Sequence, residues 1–203
     1  MANWQRFKDR ICFPLLVFLS SEGAQSLGLT SIDDERKEVV LGRCRGLVLD
    51  IGCGMNEMLK RYRSTEGMGI GVDVYPWPGT DLVCDTTQLP FSTSAFDTVA
   101  MLACLNHIPF SKRDQVLQEA KRVLKDEGRV LITMINPLVG FFAHTIRHHY
   151  DPDQLERGMG EEEEYGLRTG TVKALLTANS FRVVETVPFV FGLNHLYVAE
   201  KLL

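Results

Sequence analysis

The chain has 203 residues, of which 45% are hydrophobic, and a formal net charge of −4. This length and apolar content predict one globular domain, and the slightly acidic balance gives no reason to expect a polyanionic partner such as nucleic acid. The five cysteines are odd in number and form no C-x-x-C pair, which argues against both a disulfide framework and a zinc site.

The N-terminal region, residues 1–45, predicts a helical cap on the domain. Trp4, Phe7 and Ile11 recur at helical spacing. The apolar segment that follows is interrupted by Pro14, is too short to span a bilayer and has no signal-cleavage pattern. We therefore expect a kinked amphipathic helix, no stable membrane insertion and a cytoplasmic protein.

From residue 46 onward, strand and helix patterns alternate along the chain. Continuous apolar runs predict strands buried on both faces, and apolar residues at helical spacing predict the helices between them. Such an alternation favours a parallel, right-handed, doubly wound sheet. We expect strands at Gly46–Ile51, Met68–Val74, Asp81–Cys84, Phe96–Leu102 and Arg129–Ile135, and helices at Ser31–Leu41, Met55–Tyr62 and Ser111–Leu124, the last with Ser111 as its N-cap.

The C-terminal part departs from this alternation. Residues 137–168 show no clear period and are expected to form an insertion. A helix at Thr169–Ala178 precedes two strands, Phe181–Val187 and Asn194–Lys201, which lie too close together for a helical crossover and must pair antiparallel. The sequence thus predicts an α/β fold with a doubly wound, seven-stranded, mostly parallel sheet that ends in an antiparallel edge strand.

A glycine turn joins the first apolar strand to the helix after it. Asp50 ends the strand, and Gly52 and Gly54 follow with Cys53 between them. Glycine allows positive φ and close approach of a ligand, and ligands of open α/β sheets bind at the carboxyl ends of the strands. Glu57 occupies the place of the third glycine of a dinucleotide turn, where a carboxylate is a poor neighbour for a diphosphate.

Two further carboxylates follow the next two strands. Asp73, 23 residues after Asp50, is placed to accept hydrogen bonds from ribose hydroxyls. Asp85 is placed to accept one from an exocyclic amine such as that of adenine, or else to cap the turn with the threonines after it. Such an acidic pocket favours a neutral or cationic nucleoside without phosphate, and S-adenosylmethionine has this chemistry.

The segment from Gly46 to Asn136 resembles the class I S-adenosylmethionine-dependent methyltransferases of the small-molecule, type 11 kind. The matching stretches are Val-Leu-Asp-Ile-Gly-Cys-Gly, Gly-Val-Asp and Cys-Asp-Thr-Thr-Gln-Leu-Pro-Phe, followed by Ala-Lys-Arg-Val-Leu-Lys-Asp-Glu-Gly-Arg-Val-Leu-Ile. The resemblance implies a Rossmann-like methyltransferase fold with S-adenosyl-L-methionine as the cofactor. Asn56 replaces the third small residue of the family's glycine motif, a departure that can shift the loop.

The resemblance also implies which residues bind the cofactor. The glycine motif would wrap its methionine part, Asp73 would contact the ribose, and Asp85 would lie near the adenine amine. The thiol of Cys53 is interpreted as filling space. The full set of expected cofactor-binding residues is Asp50, Gly52, Cys53, Gly54, Asp73, Val74, Asp85, Thr86 and Leu102.

Candidate catalytic residues lie after the fourth strand and in the insertion at 137–168, on the expected acceptor side. Methyl transfer is an in-line displacement that mainly requires alignment, and a general base is needed when the acceptor is a hydroxyl or an ammonium group. His107 resembles a histidine often found at this position in the family, although a packing or capping role is equally open. His144 shares a helical face with His148, and Tyr150 follows. We name His107, His144 and Tyr150 as catalytic candidates and expect no metal.

The acceptor remains open at this point, and so does the atom that is methylated. The leading hypothesis is a single domain over residues 1–203 that methylates a small molecule, with a homodimer allowed. Alternatives are a nucleic-acid or protein methyltransferase, a non-catalytic S-adenosylmethionine-binding protein, and an NAD-linked dehydrogenase, which Glu57 disfavours. Asn106 and the residues after it faintly resemble an Asn-Pro-Pro-Tyr motif, but the first proline is missing and no basic stripe is present. The run Glu161–Glu164 is interpreted as a solvated surface.

Overall fold

A computed structural model describes residues 2–11, 21–147 and 162–202. In these ranges the helices are α1 (Ala2–Ile11), α2 (Ser21–Ser26), α3 (Ile32–Leu41), α4 (Glu57–Arg63), α5 (Arg113–Val123), α6 (Pro137–Arg147) and α7 (Thr169–Ala178). The strands are β1 (Leu47–Ile51), β2 (Met68–Asp73), β3 (Leu82–Val83), β4 (Phe96–Leu102), β5 (Leu124–Ile135), β6 (Phe181–Phe189) and β7 (Asn194–Lys201).

The strands of the described residues form one seven-stranded sheet in the order β3-β2-β1-β4-β5-β7-β6. The strands β1 to β5 pair in parallel, and β7 pairs antiparallel with both β5 and β6. The predicted fold class is therefore confirmed. The expected edge position of the last strand is wrong, because β7 lies between β5 and β6. Residues 196–199 of β7 are all buried, whereas β6 has exposed residues along its length, so the more apolar strand lies inside the sheet.

The hydrophobic core lies on both faces of the sheet. Successive side chains of a strand point to opposite faces, so Leu49 and Val99 pack with α5 and α7, whereas Val48 and Ala100 pack with α3 and α4. All four residues are fully buried. Burial on both faces explains why β1 and β4 are continuous apolar runs, and it leaves the ends of the strands for binding.

The start of α5 differs from the sequence-based expectation. The helix begins at Arg113, after a 3₁₀ turn at Phe110–Lys112, and Ser111 is not its N-cap. The hydroxyl of Ser111 instead donates to Oε2 of Glu162 at 2.6 Å. The predicted cap is wrong because Ser111 lies inside the 3₁₀ turn, two residues before the helix begins.

Two strands are longer than their apolar runs predicted. β5 begins at Leu124, directly after α5, rather than at Arg129, and a register shift against β4 accommodates the extra residues. β6 continues through Pro188, which pairs with His195 of β7. Proline is tolerated there because β6 is an edge strand, so its missing N–H leaves no inner ladder incomplete.

The N-terminal cap and the insertion are described in part. In α1, the side chains of Gln5 and Lys8 donate to the carbonyl of Gly28 at 3.0 and 2.9 Å. The expected kink near Pro14 lies outside the described residues, and so does the middle of the insertion. Across the described ranges, every helix is too short or too polar to cross a membrane.

Candidate active site

The carboxyl ends of the parallel strands meet at one edge of the sheet. Asp50 of β1 is in register with Gly71 of β2 and with Ala100 of β4. The glycine turn after β1, the turn after β2 and residues 103–108 after β4 therefore emerge side by side. Most of the expected cofactor-binding residues lie at this edge.

The glycine turn has the backbone geometry expected from its sequence. Gly52 and Gly54 both have positive φ, at 71° and 52°. A Cβ at Gly52 would stand 2.6 Å from the Cβ of Cys104, so only glycine fits there. Among the described residues, no atom lies within 4 Å of the corresponding position at Gly54. The turn thus presents an open stretch of backbone at the carboxyl edge of the parallel strands.

Asp50 carries a buried carboxylate at the end of β1. The residue is 2% exposed, and its Oδ1 atom has no hydrogen-bond partner within the described part of the chain. Burial, and secondarily the nearby charge of Asp73, raises the pKa of Asp50 to about 8. A buried carboxylate without a partner is costly, and a bound cation would offset that cost.

Asp73 connects the glycine turn to the turn after β2. It is 8% exposed, and its two carboxylate oxygens accept the N–H groups of Gly54 and Tyr75, each at 3.0 Å. Each carboxylate oxygen can accept a second hydrogen bond, so these contacts are compatible with a ribose hydroxyl. The ribose contact itself stays a prediction.

Asn56 fixes the end of the glycine turn. It adopts a left-handed conformation with φ of 60° and is 1% exposed. Its Nδ2 donates to the carbonyl of Gly79 at 2.8 Å and to Oδ2 of Asp81 at 3.0 Å. The departure from the family's small residue therefore ties the turn to the loop after β2, a role that the sequence alone did not reveal.

Asp85 lies on the surface after β3. Its Oδ1 accepts from the N–H of Thr87 at 2.9 Å and from the Thr87 hydroxyl at 2.7 Å, and these hydrogen bonds lower its pKa. Two roles were expected for Asp85, an adenine contact or the capping of this turn. The observed hydrogen bonds are those of the capping role. Thr86, the neighbouring candidate, is buried.

The other expected cofactor residues differ in exposure. Val74 is exposed and Leu102 is half-buried. Cys53 is also half-buried, and burial together with the charges of Asp50 and Asp73 raises its pKa to about 12. A thiol with so high a pKa stays protonated, which fits the interpretation that Cys53 fills space.

His107 lies in the turn after β4. Its backbone N–H donates to the carbonyl of Cys104 at 2.8 Å, and its Nδ1 lies 3.1 Å from Oε2 of Glu163. The His107 side chain is 19% exposed and that of Glu163 only 6%. Sequence reasoning missed Glu163, because a run of glutamates is normally solvated.

We call residues 162–166 the acidic strap, since they cross the turn after β4. The backbone of Glu164 exchanges hydrogen bonds with Asn106: its N–H donates to the Asn106 carbonyl, and its carbonyl accepts from Asn106 Nδ2, each at 2.9 Å. Its carboxylate pairs with Arg113, whose side chain is 2% exposed. The prediction of a solvated run is therefore wrong for Glu163, and the strap is bound to the turn. Glu161 lies outside the described residues.

The strap also packs on α6. The rings of Tyr165 and Phe141 are 5.4 Å apart, and a Cβ at Gly140 would collide with the carbonyl of Tyr165. Phe141 and Phe142 are 46% and 58% exposed. This contact places exposed aromatic rings beside the strap.

The remaining catalytic candidates are placed less completely. The backbone of His144 belongs to α6, and its side chain lies outside the described part. His148 and Tyr150 lie outside the described residues altogether. Over residues 2–11, 21–147 and 162–202, no three His, Cys, Asp or Glu side chains come together as a metal site.

Comparison with known families agrees with the geometry of this edge. Residues 49–132 match the family described as "Methyltransferase domain". Over this stretch the chain is similar to methyltransferase domains. The match covers the glycine turn, the turn after β2 and residues 103–108, which are the segments that build the site.

The curated relatives align with part of this chain and with part of their own length. An uncharacterized protein of Methanocaldococcus jannaschii is 33% identical over 95 residues, which cover 44% of this chain and 37% of that protein. Probable tRNA methyltransferase 9B of Mus musculus is 30% identical over 93 residues, which cover 42% of this chain and 21% of that protein. The chain thus spans well under half the length of these relatives.

A solved structure shares the fold of this chain. It is the 1,6-didemethyltoxoflavin-N1-methyltransferase of Burkholderia thailandensis, with bound 1,6-didemethyltoxoflavin and S-adenosylhomocysteine. The match has a TM-score of 0.62 at 17% identity and covers 82% of this chain and 76% of that one. The similarity confirms the Rossmann-like methyltransferase fold that the sequence predicted.

Proposed function

We propose that this protein transfers a methyl group from S-adenosylmethionine to a small-molecule acceptor. The buried carboxylate of Asp50, unpaired at Oδ1 among the described residues, carries the proposal. Asp50 belongs to the strand that leads into the glycine turn, where the backbone of Gly54 is open. A ligand with a cationic amino-acid part and no phosphate would stabilise the ionised form of Asp50, whereas a diphosphate would oppose its ionisation.

The other cofactor contacts follow from the order of the strand ends. The Gly52–Gly54 turn would hold the methionine part, Asp73 the ribose, and the Asp85–Thr86 pair the adenine, with Val74 and Leu102 as apolar neighbours. When bound, the cofactor supplies an electrophilic methyl group on a positively charged sulfur. The protein's own task is to fix the acceptor in line with that methyl group and to exclude water.

A small acceptor is supported by the charge on the acceptor side. The acidic strap carries Glu162, Glu163 and Glu164 across the turn that bears His107. Carboxylates at this place oppose a phosphate backbone, and the chain's net charge of −4 adds no attraction for one. Phe141 and Phe142 provide exposed aromatic surface for a small apolar molecule.

A tRNA acceptor is the second candidate, because one relative is named a probable tRNA methyltransferase. That name belongs to a protein of which this chain matches 21%. The 1,6-didemethyltoxoflavin enzyme, which shares the fold, was solved with a small molecule bound. The acidic strap favours the small molecule over the tRNA.

The test combines calorimetry with a labelled methyl donor. Titration with S-adenosylmethionine, S-adenosylhomocysteine and NAD is expected to show binding of the first two and none of NAD. Transfer from methyl-tritiated S-adenosylmethionine is then offered to total tRNA and to a metabolite extract of low molecular mass. Label in the small molecules supports the proposal, and label in tRNA supports the second candidate. Binding of NAD alone contradicts both, and binding without transfer to either pool indicates a non-catalytic protein.

A further inference from the structure

We propose that Glu163 is a positioning residue that orients His107 to remove a proton from the methyl acceptor. The acceptor class would then be protic, a hydroxyl or an amine, rather than a thiolate or a carbanion. The inference rests on the proposed methyl transfer and deepens it by naming the substrate class. Neither residue type nor spacing pointed to Glu163 in the sequence.

The pairing of the two side chains carries the proposal. Nδ1 of His107 lies 3.1 Å from Oε2 of Glu163, and the two side chains are 19% and 6% exposed. A carboxylate accepts but cannot donate when ionised, so the imidazole must present Nδ1–H to it. That bond assigns the proton of the neutral ring to Nδ1 and leaves the lone pair on Nε2. Partial burial protects this interaction from screening by salt.

The strap holds Glu163 in place from both sides. Glu162 accepts the hydroxyl of Ser111 at 2.6 Å, and the backbone of Glu164 exchanges two hydrogen bonds with Asn106 at 2.9 Å. The carboxylate of Glu164 also pairs with the buried Arg113. Because both neighbours are anchored to the turn that carries His107, little further ordering is needed to align Glu163 with the ring.

The turn that carries His107 contacts the glycine turn of the expected cofactor site. Three residues before His107, Cys104 packs against Gly52, and its thiol donates to the carbonyl of Ile51 at 3.0 Å. The same turn therefore contacts the glycine turn at one end and carries the imidazole at the other. On the far side, the strap reaches the aromatic surface of α6 through Tyr165.

In the proposed step the acceptor loses a proton to His107 as it gains the methyl group. Nε2 of His107 takes the proton of the acceptor hydroxyl or amine. The acceptor displaces any group that contacts Nε2 in the resting protein. The acceptor's lone pair forms a bond to the methyl carbon, and the carbon–sulfur bond breaks with its electron pair going to sulfur, which leaves a neutral thioether. Glu163 stabilises the imidazolium that forms, and the proton then passes from His107 to water.

The tautomer of His107 tests the geometry without any acceptor. Long-range ¹H–¹⁵N correlation at alkaline pH, with His107→Gln to assign the ring, is expected to show Nδ1–H in the wild type. Glu163→Gln retains an oxygen acceptor and should keep this tautomer, whereas Glu163→Ala should lose it. An Nε2–H ring in the wild type would overturn the proposal, because the remaining nitrogen would then be a donor.

Kinetics separate positioning from a merely structural ion pair. Catechol, benzylamine and 2-mercaptoethanol serve as hydroxyl, amine and thiol probes. For the protic probes, Glu163→Gln should lower kcat by about tenfold or more, with the KM for S-adenosylmethionine changed by less than about twofold. Glu127→Gln, the same change at an exposed glutamate near the amino end of β5 and outside the strap, is the matched control and should stay close to wild type.

Kinetics test the positioning role, and calorimetry tests the proposed function. Methylation of the thiol alone, or an equal rate in Glu163→Gln, overturns the positioning role. If no probe is methylated, the tautomer measurement decides alone. Absence of S-adenosylmethionine binding in calorimetry would instead defeat the proposed function, and it would do so whatever tautomer His107 adopts.

Discussion

The backbone of Gly52 lies directly against the side chain of Cys104. A Cβ at position 52 would stand 2.6 Å from the Cβ of Cys104, and the Cys104 thiol donates to the carbonyl of Ile51 at 3.0 Å. The turn after β1 and the turn after β4 therefore share one contact. Since the first is assigned to the cofactor and the second carries His107, a change in either turn should displace the other.

Replacing Gly52 with alanine should abolish binding of S-adenosylmethionine. The added Cβ would collide with Cys104, and the φ of 71° would itself cost an alanine about 1–2 kcal/mol. Calorimetric titration and urea unfolding would measure the two effects. Gly54→Ala is the control for the unfolding measurement, because it has similar backbone strain, at a φ of 52°, and no described atom within 4 Å of the new Cβ.

A second variant identifies the collision as the cause. Combining Gly52→Ala with Cys104→Gly removes the Cβ that the alanine would meet, and part of the binding should return. Binding by Gly52→Ala as tight as in the wild type would show that the two turns do not need this contact.

Replacing Asp50 with asparagine should stabilise the folded protein in a pH-dependent manner. The pKa of Asp50 is about 8 when folded, against 3.8 for an ordinary aspartate. As pH rises from about 4 to about 8, the unfolded chain loses this proton before the folded one does, so Asp50 increasingly favours unfolding over that window. The contribution of the raised pKa to the free energy of unfolding is therefore fully present below about pH 4 and lost above about pH 8.

Urea unfolding at pH 5 and at pH 8 would test the sign. Asp50→Asn should gain stability relative to wild type, more at pH 8 than at pH 5, by an amount on the order of a few kcal/mol. The same variant should bind S-adenosylmethionine more weakly, because the proposed counter-charge is gone. An equal stability difference at both pH values would refute the raised pKa.

Replacing Asp73 with alanine should weaken binding of S-adenosylmethionine by about 1–3 kcal/mol. The variant loses the proposed ribose contact and also the acceptors for the N–H groups of Gly54 and Tyr75. Asp73→Asn keeps one oxygen for Gly54 and should show a smaller loss. Unchanged affinity in a folded Asp73→Ala protein would set the ribose assignment aside.

Local patterns explain why much of the fold could be predicted from the sequence. The positive φ of Gly52 and Gly54 follows from residue type, and the strands at β1 and β4 follow from continuous apolar runs. The position of β7 inside the sheet did not follow. An antiparallel hairpin can join a sheet through either of its strands, and the choice here depends on burial against β5.

The features that the sequence missed depend on contacts between distant residues. Ser111 bonds Glu162 across 51 positions, and His107 meets Glu163 across 56. The local sequence around a run of glutamates does not indicate distant partners. The position of Ser111 before an apolar helical pattern is typical of a helix N-cap. Arg113, buried and paired with Glu164, shows in retrospect that a carboxylate had to approach this turn.

Replacing Asn194 with leucine should stabilise the protein. Asn194 is 1% exposed, and neither its Nδ2 nor its Oδ1 has a hydrogen-bond partner among the described residues. It begins β7 opposite Ile135, the last residue of β5, and so lies at the binding edge. Leucine has the same branching and removes both unpaired polar atoms, so the free energy of unfolding should rise by about 1–3 kcal/mol.

Asn179 offers a matched control for this change. It is 2% exposed, but its amide donates to Asp114 at 2.7 Å and accepts from Gln118 at 2.9 Å. Asn179→Leu should therefore destabilise the protein, because it leaves those partners unsatisfied. Urea unfolding midpoints, compared at equal m-values, would give the change in the free energy of unfolding for both variants. A loss of stability in Asn194→Leu would mean that ordered water satisfies the amide, whereas a gain together with weaker methyl transfer would place Asn194 among the groups that bind the acceptor.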